Sequence, residues 1–141
     1  MPVFVDTNVL VYARDLGEPV KGPKAQAWLE HLWRSRQGRL SYQVLSEYYV
    51  TVTQKLDPGF DRTAARADIR NLLAWHPVLI DEGVVEAAWQ LQDHHSLSLW
   101  DALILAAAGA ANCDRVLSED LTDGETYGAV TVVNPFLHEI C

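Results

Sequence analysis

Five short apolar runs alternate with stretches of helical period along this chain, and that alternation constrains its fold more than any other feature. The runs are residues 2–5, 39–42, 77–80, 115–117 and 129–133. Between them the sequence predicts helices. Thr7 to Ala13 starts one, or a tight turn into one. Pro23 to Arg36 places Ala25, Trp28, Leu29, Leu32 and Trp33 on one face, with Gly38 as its stop. Val44 to Gln54 is the next helix, followed by a turn at Asp57-Pro58-Gly59. Asp61 caps a helix to about Trp75, with Ile69, Leu72 and Leu73 inward. Asp81 or Glu82 starts another through about Asp93, and Ser98 the last, ending near Asn112. Strands buried on both sides and separated by helices predict a central parallel five-stranded sheet with helices on both faces. Right-handed crossovers then favour a doubly wound α/β architecture. The length of 141 residues fits one hydrophobic core, so residues 1–141 are read as a single domain. No repeat, low-complexity tract or linker interrupts it.

In open sheets of this kind ligands sit beyond the carboxyl ends of the strands. Asp6 stands there after "VFV", and Ser118-Glu119-Asp120 stand there after "RVL". Two more acids keep apolar company. Glu47 lies in "VLSEYYVTV", with Val44, Val50 and Thr51 as its nearest neighbours on the helix surface and no Lys or Arg three or four residues away. Asp101 is the one charge between His95 and Asp114. Each acid also has a structural explanation: Asp6 as a helix N-cap, Asp101 as the partner of Ser98 in a capping box, Asp120 and Glu119 as loop acids. Glu47 has no helix terminus to explain it.

Taken together the acids need a counter-charge. Like charges about 4–6 Å apart at an effective dielectric near 20 repel by roughly 3–4 kcal/mol per pair, which raises their pKa values unless a cation joins them. The three lysines, Lys21, Lys24 and Lys55, all lie away from strand ends. A divalent cation is the natural counter-charge, and all-oxygen ligation points to Mg2+ or Mn2+ rather than zinc. Such an ion suits hydrolysis of a phosphate ester, with a spare carboxylate orienting the attacking water. The formal net charge of −8 excludes nucleic-acid binding by bulk attraction, though not a metal-assisted enzyme. The longest small-apolar run, Ala102 to Ala111, is too short to span a bilayer. Cys113 and Cys141 are too few for a disulfide framework, and no basic-then-apolar leader is seen. No membrane association and a cytoplasmic location are therefore expected.

"VFVDTNVLVYA", Glu47 in "SEYYVTV", "LWDALILAAA" and "VLSEDLTDG", in this order and spacing, resemble the PIN-domain ribonucleases, and among them the VapC-type toxins of type II toxin–antitoxin pairs. The resemblance covers essentially the whole chain. It implies a PIN-like α/β domain and a Mg2+- or Mn2+-dependent endoribonuclease cleaving single-stranded or structured RNA. It also implies a homodimer and a cognate VapB-type antitoxin whose tail blocks the acidic cleft. Asp6, Glu47, Asp101 and Asp120 match the family's four acids, with Asp6, Asp101 and Asp120 as metal ligands. Thr7, Asn8 and Ser118 match supporting polar positions, as does Asp123 with a more variable role.

An acid after the first strand also admits two other readings. An aspartyl-nucleophile phosphatase of the haloacid-dehalogenase kind wants a second acid two residues on, where this chain has Asn8, and a phosphate-binding Lys. A receiver-type metal-binding module wants paired acids there and a Lys after the fifth strand, which Val133-Asn134-Pro135 does not supply. A PIN-like module that only binds RNA is opposed by the intact acid set. Elsewhere, Arg62, Arg66 and Arg70 form a basic stripe, read as a solvated face rather than a rail for phosphates. His94-His95 is read as a helix end, the five tryptophans as core and dimer packing, and Leu16 to Pro23 as a mobile loop over the cleft.

Overall fold

The computed structural model describes residues 1–15 and 17–140. "VFV" forms β1 (Val3–Val5), and all three side chains are buried, which requires cover on both faces. The chain continues through α1 (Thr7–Arg14), α2 (Lys21–Ser35), β2 (Gly38–Arg39) and α3 (Tyr42–Val50), which runs on as a π-helical turn at Thr51–Lys55. After a cis Asp57–Pro58 peptide come α4 (Arg62–Leu72), ending in a 3-10 turn at Leu73–Trp75, then α5 (Glu82–His94) and α6 (Leu99–Ala110). β3 (Arg115–Leu117), β4 (Thr126–Tyr127) and β5 (Val130–Val133) complete the chain.

The five strands lie in the order β2-β1-β3-β5-β4. β2, β1, β3 and β5 are mutually parallel, with Val5 opposite Leu117 and Leu117 opposite Val133. β4 pairs antiparallel with β5. The predicted parallel five-stranded sheet is thus found with one strand exchanged. Residues 77–80 make a single bridge, Val78 to Ser41, rather than a strand. The fifth strand is instead Thr126–Tyr127, an edge hairpin that closes through Gly128 at φ 62, a conformation that favours glycine.

Local capping explains where most helices start. Asp61, Asp81 and Ser98 accept the backbone N–H of Ala64, Val84 and Asp101 at 2.8, 3.0 and 3.1 Å. α2 ends differently from the expectation: Arg36, at φ 59, turns the chain out of the helix. Gly38 is instead a packing glycine, because a Cβ there would lie 2.6 Å from the buried Trp75 ring. Leu73, expected inward, is exposed, whereas Leu72 is buried and Ile69 partly so. Trp28 and Trp75 belong to the core, but Trp89 and Trp100 are 51% and 63% exposed. Of the Leu16–Pro23 segment, Leu16 lies outside the described residues, Gly17 and Pro19–Val20 form turns, and Lys21 already begins α2. Among the described residues no helix is long and apolar enough to cross a membrane.

Candidate active site

β1 and β3 are neighbours although β2 intervenes in sequence, so the crevice beyond their carboxyl ends is a topological switch point. Asp6 leaves β1 there, its N–H bonded to Leu117 O at 3.0 Å. Ser118 leaves β3 beside it and donates its hydroxyl to Asp6 Oδ2 at 2.8 Å. Both residues are buried. The same Ser118 oxygen accepts the N–H of Asp120 at 3.1 Å and of Leu121 at 3.4 Å, which curls the loop back towards β1.

Asn8, one residue into α1, joins the parts. Its amide nitrogen is shared by Asp6 Oδ2, Ser118 Oγ and Asp120 Oδ2 at 3.2–3.3 Å, and its oxygen accepts the N–H of Glu119 at 3.2 Å. Thr7 donates its hydroxyl to Glu47 Oε1 at 3.1 Å, linking α1 to α3. Gln43, one helical turn before Glu47, bonds that same oxygen at 3.4 Å and Trp100 O at 3.3 Å, linking α3 to the first turn of α6. Sequence reading missed Gln43, although its spacing of four from Glu47 was a visible signal.

The capping readings also hold. Asp6 accepts the N–H of Thr7 at 2.7 Å as the N-cap of α1, and Ser98 caps α6 by accepting the N–H of Asp101, whose carboxylate bonds the Ser98 side chain in place of the backbone N–H of a capping box. Capping does not discharge the electrostatics. Burial pushes the Asp6 carboxyl up to about 6, with bonds from Ser118 and Thr7 opposing the rise and the charges of Asp120 and Glu47 adding to it. Burial likewise raises Asp101, opposed by its Ser98 bond and reinforced by Asp120. Asp6 thus feels Asp120 and Glu47, and Asp101 feels Asp120, so four acids from four elements share one electrostatic neighbourhood.

Two acids of the same loop face elsewhere. Glu119 turns to Lys21 and Tyr12. Asp123 accepts the N–H of Asn134 at 2.8 Å and meets His138 Nε2 at 2.9 Å, so its bonds run to the C-terminal segment.

The donor set suits a hard dication: carboxylate oxygens whose hydrogen-bonding partners among the described residues are Thr7, Asn8, Gln43, Ser98 and Ser118, all uncharged. Among the described residues, no three His, Cys, Asp or Glu side chains stand close enough to ligate one ion as they are placed. Asn8 bridges Asp6 and Asp120, and Thr7 ties Glu47 to the start of α1. A cavity of about 990 Å³ lies elsewhere, between α5, α6 and the β4–β5 turn, and none of the four acids lines it.

No curated protein matches this chain. Among solved structures it is similar to FitAcB from Neisseria gonorrhoeae, at 20% identity over 95% of this chain and 98% of that one, with a TM-score of 0.68. A toxin–antitoxin complex from Klebsiella pneumoniae is similar at 22% identity, covering 99% and 100%, with a TM-score of 0.67. VapC20 of Mycobacterium tuberculosis, a sarcin-ricin loop cleaving toxin, is similar at 22% identity, covering 84% and 91%, with a TM-score of 0.62. These likenesses concern the fold. The family model of the PIN domain matches residues 3–122, a span that runs from β1 past β3 and contains the positions of all four acids, and the chain therefore belongs to the PIN domain family.

Proposed function

We propose that residues 1–141 form a single-domain, Mg2+- or Mn2+-dependent endoribonuclease that cleaves single-stranded or structured RNA. What supports this reading is that Asp6 and Asp120 share Asn8 and Ser118 beyond the ends of β1 and β3, and that charge interactions link Asp6 to Glu47 and Asp120, and Asp101 to Asp120, with uncharged hydrogen-bonding partners. In this reading the enzyme is a cytoplasmic toxin, restrained by a VapB-type antitoxin and working as a homodimer. Similarity to the Klebsiella toxin–antitoxin complex and to VapC20 supports that role.

Asp6, Asp101 and Asp120 would hold the ion. A bound dication would offset charge developing on a phosphate oxygen and lower the pKa of an attacking water. The chain's own groups do the rest. Ser118, Thr7 and Asn8 fix both oxygens of Asp6, so its lone pairs are aimed before any ligand arrives. Glu47 is exposed and held through one oxygen by Thr7 and Gln43, which suits a base that orients water and accepts its proton. Asn8 carries an amide, too weak an acid to protonate a leaving group, which disfavours the phosphatase alternative at that position.

The test is digestion of total RNA with mapping of the ends produced. Cleavage should stop with EDTA, return with Mn2+, and be abolished in Asp6→Asn while far-UV circular dichroism stays native. Cleavage that survives EDTA, or that survives in D6N, would remove the assignment.

A further inference from the structure

We propose that Lys21 is a positioning residue for the acidic cleft: paired with Glu119, it holds the Ser118–Leu121 loop so that Asp120 faces Asn8 and Asp6. The inference rests on the metal-dependent reading given above.

Three successive loop residues face three directions. Ser118 bonds Asp6, Glu119 pairs with Lys21, and Asp120 meets Asn8. The Glu119 backbone is fixed at the same time by Asn8 Oδ1. Turning Glu119 outward is thus geometrically coupled to turning Asp120 inward. Lys21 is itself confined. It is the first residue of α2, and its N–H donates to Glu18 Oε1 at 3.3 Å. Its Nζ lies 5.1 Å from the Tyr12 ring centroid and 5.6 Å from that of Phe136, and those two rings meet edge-on at 5.1 Å. Tyr12 also hydrogen-bonds Glu119. An exposed ion pair contributes little because two flexible chains must be ordered to make it. Here the side chains are 35% and 24% exposed, and two aromatic walls have already restricted the lysine. The pairing raises the affinity of Lys21 for its proton and holds the Glu119 carboxyl below its usual range despite partial burial.

The pair carries no net charge, so deleting both ends leaves the charge of the cleft unchanged and removes only the tether. Full-length wild type, Lys21→Arg and the double variant K21M/E119Q are titrated with Mn2+ by calorimetry. The double variant should bind about tenfold more weakly, the loss typical of groups that orient metal ligands, with K21R within about twofold of wild type. In K21M alone, without metal, amide exchange at Asp120 and Leu121 should quicken about tenfold while that at Val5 stays unchanged. A double variant with wild-type Mn2+ affinity, or unchanged exchange at both loop amides, would overturn the inference alone. A wild-type chain that takes up no Mn2+ would overturn the metal reading and this inference with it.

Discussion

Asp6 is one residue carrying two loads: it caps α1 and places a buried charge in the cleft. The second load opposes folding. Because burial raises its pKa from 3.8 to about 6, the folded chain holds the proton more tightly than the unfolded one. The stability Asp6 allows is therefore full below the unfolded value, falls as pH rises towards 6, and is flat above. With EDTA present, the stability gap between wild type and Asp6→Asn should move by about 3 kcal/mol in favour of the variant between about pH 3.5 and pH 7.5. Urea unfolding at stepped pH measures this. A gap that ignores pH would mean that Asp6 is not desolvated in solution.

At the scale of elements, two features tie the short β2 strand into the fold. Arg36 ends α2 in the left-handed region, and Gly38 lets the strand pass directly over the Trp75 ring. That ring is buried and packs 5.0 Å from Trp33. Gly38→Ala should therefore destabilise the chain by about 1–3 kcal/mol through overpacking, seen as a lowered thermal midpoint. An unchanged midpoint would show that the ring yields. The same contact explains why Gly38 looked like a helix stop in the sequence: glycine serves both purposes, and only the neighbour 37 positions away tells which.

Across the whole molecule, the C-terminal segment straps the acid loop to α2. Trp28 Nε1 donates to Pro135 O at 3.0 Å, Lys24 reaches Phe136 O at 3.3 Å, and Asp123 holds Asn134 and His138. Trp28→Phe removes the indole N–H and part of the ring, leaving the Pro135 carbonyl without that donor in a buried setting and a small void beside it, and should cost about 1–3 kcal/mol in denaturant unfolding. No measurable cost would mean that water reaches that carbonyl. With a net charge of −8, the molecule as a whole repels phosphate, so any attraction to RNA must come from local groups or from a cation in the cleft.

Much was legible in the primary structure because it depends on near neighbours. The Val-Phe-Val strand, the caps at Asp61, Asp81 and Ser98, and the α/β alternation follow from apolar period and from side chains that reach backbone N–H groups up to three residues on. The four acids stood out because a charge in apolar surroundings needs a reason. What stayed hidden depends on partners distant in sequence. Residues 77–80 have strand-like composition but meet just one bridging neighbour, while Thr126–Tyr127 become a strand because β5 lies alongside. Gln43 finds Trp100 across 57 residues, and Lys21 finds Glu119 across 98. Sequence by itself determined that the runs at 3–5, 115–117 and 130–133 form strands and which acids are anomalous. Tertiary structure alone decided which way each acid faces, because orientation is set by hydrogen-bond donors that only folding brings within about 3 Å.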